Sequence, residues 1–140
     1  MGHLGQFIIN HWALWLGVVV ILLLIFINER IAQKAQAKEI SPQEAVALIN
    51  GEDAVVFDLR DVENFRNGHI INAIRVNADD FDLPKMNSYK DKTIILVCAR
   101  GVMANTLATK LRGMNFIKPL VLAGGIGAWQ GADLPLVKGK

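Results

Sequence analysis

The chain opens on one long apolar run and then settles into short apolar runs separated by mixed, helix-like stretches. Residues 12–27 are apolar throughout, and reaching back through Phe7-Ile8-Ile9 gives 21 residues interrupted only by Asn10 and His11. At ~1.5 Å per helical residue that stretch is roughly 31 Å long, about the thickness of a bilayer core. A core helix would show a polar face, and this run shows none. A cleaved signal peptide is the rival, because Ala35-Gln36-Ala37 has the small-x-small form of a cleavage site. Against it, no Lys or Arg precedes the run, and Glu29, Arg30 and Lys34 stand between the run and that triplet. The pattern predicts an uncleaved transmembrane helix within 1–28.

Residues 29–40 are rich in Ala, Gln and Lys, good helix formers, and are expected to carry the helix onward as a charged linker. Ser41-Pro42-Gln43-Glu44 reads as a fresh helix start, with Ser41 as N-cap, Pro42 at the first helical position and Glu44 completing a capping box. Ala45, Leu48 and Ile49 form its apolar side, and Asn50-Gly51 ends it. Four apolar runs then read as strands: 54–57, 73–76 (weakened by Arg75), 93–97 and 120–122. Between them, 61–67 reads as a short helix stopped by Gly68, and 79–87, containing Pro84, as a broken helix or loop. Residues 104–112 read as a helix with Leu107, Ala108 and Leu111 on one side, Lys110 and Arg112 in its last turn, and Gly113 as its stop. Gly124-Gly125 turns the last strand into a short helix carrying Trp129. Strands that alternate with helices and read as continuous apolar runs predict an α/β fold, a parallel sheet covered on both faces. The expected organisation is an anchor at 1–28, a linker at 29–40, a domain at 41–137 and a tail at 138–140.

Charge adds orientation and excludes one class of partner. All 28 charged residues, 15 basic and 13 acidic, follow residue 28, so the body has the charge density of an ordinary soluble domain. Arg30, Lys34 and Lys38 lie just after the apolar run, and the positive-inside rule then places the body in the cytoplasm of a single-pass membrane protein. Trp12 and Trp15 fit an interfacial aromatic belt at the other end. A net charge of +2, with no basic stripe interleaved with aromatics, argues against a nucleic-acid partner. A single cysteine forms no internal disulfide, in keeping with a reducing compartment.

In parallel sheets of this kind ligands bind beyond the carboxyl ends of strands, and Asp58, Cys98 and Gly124 all fall there. Cys98 closes the run 93–97 and is followed by Ala99-Arg100-Gly101-Val102-Met103 and then a helix. The N–H groups and dipole of a helix N-terminus favour an anion, and Gly101 lets the backbone curl so that successive N–H groups point at one atom. Two readings stand at this point: a structural cysteine packed like a small hydrophobe, or a nucleophile in an anion-binding loop. Arg100 is either a solvated loop arginine or a cation beside that anion. His69 is either a titrating group or, as the favoured reading, a hydrogen-bonded scaffold residue. His3 and His11 stand outside the domain, and three scattered histidines with one cysteine compose no metal site.

Asp58-Leu59-Arg60, Glu63-Asn64-Phe65, Gly68-His69-Ile70, Cys98 with its loop, and Gly124-Gly125 followed by Trp129 come in the order of a known family. Over about 41–136 the chain resembles the rhodanese-like (single-domain sulfurtransferase) family. The resemblance implies a rhodanese-like parallel sheet with helices on both faces, here preceded by one transmembrane α-helix. It implies that Cys98 accepts a sulfane sulfur from a donor such as thiosulfate, that Ala99, Arg100, Gly101, Val102 and Met103 cradle the persulfide, and that the sulfur passes to a thiol acceptor or cyanide. Transfer of that kind needs a thiolate to attack the donor sulfur and backbone donors to hold the bound sulfur's negative charge. In the family Asp58 and Arg60 hold the loops at the sheet edge by charge pairing, and His69 supports them. Trp129 is expected to pack against the sheet.

The loop departs from the family's pattern at two points. Met103 stands where similar enzymes often carry a cationic or hydroxyl side chain, and Ala99 where arginine is frequent. The pull on a dianion such as thiosulfate then rests on Arg100 and backbone dipoles. The proline-glycine that often follows Gly-His-Ile is here Ile71-Asn72, a change to a turn rather than to the chemistry. Related phosphatases and arsenate reductases use a longer loop with arginine six residues after the cysteine. That position is Ala104, which removes the phosphate-binding fork. The expected function is a membrane-anchored sulfurtransferase without cofactor, its partners a sulfur donor, a thiol acceptor and the membrane, with a membrane protein as a further candidate. The alternative is a membrane-tethered binding module of the same fold with little or no catalysis.

Overall fold

The computed structural model describes residues 2–35 and 37–139, so Met1, Lys140 and Gln36 of the Ala35-Gln36-Ala37 triplet lie outside the described residues. The chain divides into two compact units, Met1–Gln36 and Ala37–Lys140. The first holds helices α1, Gly2–Asn10, and α2, Trp12–Ala35. They meet at His11, whose ring Nδ1 donates to the Phe7 carbonyl at 2.9 Å. Within α2, Trp12–Ala32 is long and apolar enough to cross a membrane by length and composition, with a mean hydropathy of 2.2.

The second unit is one five-stranded sheet with its covering helices. In chain order it contains β1 (Lys38–Ile40), α3 (Pro42–Gly51), β2 (Val55–Asp58), α4 (Val62–Asn67) and β3 (Ile74–Arg75). There follow 3-10 turns at Ala78–Asp82 and Pro84–Tyr89, then β4 (Thr93–Val97), α5 (Val102–Gly113), β5 (Lys118–Leu122) and α6 (Gly125–Gly131). The strand order is β1-β5-β4-β2-β3, and every neighbouring pair is parallel. The central strand β4 sits between β5 and β2, with Ile95 opposite both Leu120 and Val56.

Side chains alternate across the strands and so build two apolar layers. Val56, Ile95, Val97, Leu120 and Leu122 meet Ala45 of α3 and Ile126 and Trp129 of α6. Phe57, Ile94, Leu96 and Val121 meet Leu107, Ala108 and Leu111 of α5, with Phe81 and Met86 of the 3-10 turns closing the same layer. Ser41 caps α3 as its sequence demands: its hydroxyl accepts from Glu44 N–H at 3.1 Å, while Glu44 Oε2 accepts from Ser41 N–H at 2.8 Å.

Two elements differ from the sequence expectation. The helix predicted through 29–40 ends at Ala35, and Lys38-Glu39-Ile40 forms an edge strand on β5. Helix propensity is a weak prior there, because Ile40 is 3% exposed against the sheet and its carbonyl accepts from Ala123 N–H at 2.9 Å. Helix α5 begins at Val102 rather than Ala104, which draws two residues read as loop into the first helical turn.

Candidate functional site

The site is built from the end of β4. Along that strand Ile94 and Leu96 face the α5 layer, and Cys98 continues the alternation into the same layer one residue past the strand. Cys98 is therefore mostly inside, at 6% exposure. The chain then reverses into α5 through Gly101, the N-cap, whose φ of 93° is a left-handed conformation that a side chain resists. In that conformation Gly101 N–H points back at the cysteine and donates to Sγ at 2.9 Å. The first helical bond of α5 runs from Asn105 N–H to the Gly101 carbonyl at 3.1 Å. The N–H groups of Val102, Met103 and Ala104 thus have no carbonyl one turn behind them within the helix. Ala99, Arg100, Val102 and Met103 are all exposed around this point, Val102 at 75% and Met103 at 57%.

Main-chain bonds from both sides hold the loop. On one side, Leu59 N–H donates to the Val97 carbonyl at 2.8 Å. On the other, Ile126 N–H donates to the Cys98 carbonyl at 3.0 Å. That second bond requires a close approach at Gly125, where φ is 60° and a Cβ would press into the Cys98 carbonyl oxygen and lie 2.8 Å from the Ala99 carbonyl carbon.

Asp58 pairs in register with both Val97 and Arg75, which sets its carboxylate beside the strand that carries the cysteine. It is 1% exposed, and Arg60 answers it with Nε to Oδ1 at 3.0 Å and Nη2 to Oδ2 at 2.9 Å. Arg60 Nη2 also donates to the Gly68 carbonyl at 2.6 Å, and Arg75 Nε donates to the Arg60 carbonyl at 3.0 Å. This network ties the turn after β2 to the turn after α4 and to β3. His69 is buried, donates through Nδ1 to the Phe65 carbonyl at 2.7 Å and stacks on the Phe65 ring at 3.8 Å. Its backbone exchanges two hydrogen bonds with Val137, at 2.9 and 2.8 Å, so its bonds are those of a scaffold residue. Trp129, at 4% exposure, donates through Nε1 to the Pro135 carbonyl. Among the described residues no group of three His, Cys, Asp or Glu side chains gathers as a metal site.

Sequence reasoning missed three contributors. Gly125 was readable only as a turn glycine, since its contact with the cysteine loop depends on β5 lying next to β4. Arg75 read as an interruption of a strand, yet a charged residue in an edge strand is itself a signal of an outward partner, here the Arg60 carbonyl. Val137 carried no local signal.

The sequence profile of the rhodanese-like domain matches residues 41–132. The chain belongs to the rhodanese-like domain family. Its relatives include the uncharacterized protein YibN of Escherichia coli, 33% identical over 143 residues that take in all of both chains. The thiosulfate sulfurtransferase GlpE of Coxiella burnetii is 28% identical over 93 residues, 66% of this chain and 87% of that protein. Among solved structures, a rhodanese-like domain protein from Staphylococcus aureus superposes with a TM-score of 0.59 at 26% identity, covering 74% of this chain and 99% of its own. Rhodanese-like fold and relatives together support a sulfurtransferase chemistry of the rhodanese type in general.

The relatives correct one expectation. The placement of this rhodanese-like protein as a single-pass membrane protein is overturned by such likenesses: 66% of this chain accounts for 87% of GlpE, so the match is to a protein made almost wholly of the domain itself. The physical reason is that an apolar helix near the N-terminus satisfies the length and composition test on grounds that a signal sequence or a core helix also meets. The rhodanese-like domain closes both its apolar layers with its own helices.

Proposed function

We propose that this protein is a sulfurtransferase in which Cys98 takes a sulfane sulfur from a donor such as thiosulfate and passes it, as a persulfide, to a thiol acceptor or to cyanide. The observation that carries the reading is the Gly101 N–H donated to Cys98 Sγ at the start of α5. The Cys98 thiolate attacks the outer sulfur of thiosulfate, a Cys98 S–S bond forms, and sulfite leaves with the electron pair of the broken S–S bond. The new bond, about 2 Å long, carries the transferred sulfur outward from a thiol that is itself nearly buried. Its negative charge is met by the N–H groups of residues 102–104, fixed in place before the reaction. An acceptor thiolate then attacks that outer sulfur, and the Cys98 thiolate leaves.

In this reading Ala99, Arg100, Gly101, Val102 and Met103 form the persulfide loop. Asp58 and Arg60 are positioning residues that brace the turn beside it, and His69 acts further off by holding the C-terminal segment. The test is the intact mass of the full-length chain in mild detergent, before and after thiosulfate, with Cys98→Ser in parallel. A gain of ~32 Da, removed by cyanide and absent from the variant, is expected. No gain from any sulfane donor, with the thiol free and the protein folded, would refute sulfur transfer and leave a binding module as the function.

A further inference from the structure

The mouth of the cysteine loop is apolar where a binding site for a small dianion would be cationic. Val102 and Met103, the first two residues of α5, are among the most exposed apolar side chains of the domain, at 75% and 57%. They flank the same helix start whose N-cap N–H reaches Sγ. Arg100 is the only cation in the loop. One turn further along α5, Asn105 donates through Nδ2 to Glu39 Oε1 at 2.6 Å. Asn105 is three residues after Val102 and so shares its side of the helix, which sets a carboxylate next to the mouth.

The remaining charges at this end of the sheet do not reverse that balance. Arg60 is engaged by Asp58, and the N-cap and first turn of α4 add the exposed carboxylates of Asp61 and Glu63. Arg75 lies two strands from β4, about 10 Å away at ordinary strand spacing. It is bonded to the Arg60 carbonyl and to Asn77 Oδ1. Arg66, exposed in the last turn of α4, shares that short helix with Glu63, so an incoming dianion meets no excess of exposed cations over carboxylates, and like charges at close range are costly. The free N–H groups of residues 102–104 suit a single negative sulfur, the one that Cys98 itself comes to carry.

We infer that the preferred sulfur donor is an organic hydropersulfide, R–S–SH, whose R group is uncharged and apolar next to the sulfur, and that Val102 and Met103 select it. The inference rests on the sulfur-transfer reading above and names the donor class for that site. The Cys98 thiolate attacks the terminal sulfur of R–S–SH, and a Cys98 S–S bond forms. The donor's S–S bond breaks, and R–S⁻ leaves with the electron pair while the transferred sulfur keeps its proton until it ionises. The protruding terminal sulfur suits a thiol at 6% exposure, and R rests on the two apolar side chains. The flexible, polarizable Met103 adapts to its shape.

The test compares two donors with the same reacting sulfurs, benzyl hydropersulfide and its 4-sulfonate, each released in situ. The initial rate of sulfur loading on Cys98 is followed by intact mass on the full-length chain. The uncharged donor is expected to load with a kcat/KM about tenfold higher or more, the low end of what an apolar contact discriminates. Met103→Arg is expected to narrow or reverse the ratio, and Met103→Gln, which keeps the length without the apolar end, to reduce it several-fold. Equal rates with the two donors, or a ratio unmoved in both folded variants that still load, would overturn the inference. No loading from either donor or from thiosulfate would instead defeat the sulfur-transfer reading itself, so the two failures are distinguishable.

Discussion

Replacing Gly125 by alanine inserts one methyl group where α6 approaches the cysteine loop. Its φ of 60° is a left-handed conformation in which a side chain costs roughly 1–2 kcal/mol. The new Cβ would also press into the Cys98 carbonyl oxygen, which accepts the Ile126 N–H. Loss of that bond adds about 0.5–1.5 kcal/mol. The expected destabilisation is about 3 kcal/mol, which at a slope of ~1–3 kcal/mol per molar lowers the urea midpoint by roughly 1 to 3 M. Because the backbone of Cys98 and Ala99 must move, loading of Cys98 is expected to slow by about tenfold or more even where the protein is folded. Gly127→Ala, two residues on, is the control. A Cβ there meets the Ala99 carbonyl oxygen at 3.8 Å, an ordinary contact, and lies inside a helix where alanine gains about 0.5–1 kcal/mol over glycine. If Gly125→Ala unfolds within about 0.5 kcal/mol of the parent, or Gly127→Ala is as damaging, the account of how α6 holds the loop is wrong.

Arg60→Met leaves the Asp58 carboxylate buried at 1% exposure with no cation, and the cost of such an orphaned charge is about 3–5 kcal/mol, readable as a fall in the urea midpoint. A change under about 1 kcal/mol would mean that Asp58 finds another partner. Ser41→Ala removes the hydroxyl that caps α3 and is expected to cost about 1 kcal/mol in the same measurement, while Ser41→Asp keeps most of the stability.

The strength of each local signal explains what the sequence disclosed. The capping box at Ser41 and Glu44 was legible because both partners lie within one turn. The apolar runs that became β2, β4 and β5 were legible because strands buried on both faces leave no polar gaps. Strand β1 was not, since three residues, two of them charged, carry no period, and only pairing with β5 makes them a strand. The start of α5 was misplaced by two residues because exposed Val102 and Met103 look like loop once an apolar helix side is sought. Gly101's left-handed turn nevertheless lets the helix begin at once. Cys98 was found by its place at the end of a run. What holds its loop was hidden, because both clamping bonds come from segments distant in sequence, the turn after β2 and the start of α6.

Those clamps have a consequence for how such a site changes. Leu59 and Ile126 grip the cysteine segment by its peptide groups, so the fold asks nothing of the side chains at Ala99, Arg100, Val102 and Met103. Their identities can be exchanged while the scaffold stays in place. The cysteine loop thus behaves as an interchangeable tip on a fixed handle, and new sulfur chemistry is within reach of a few loop substitutions that leave both apolar layers untouched.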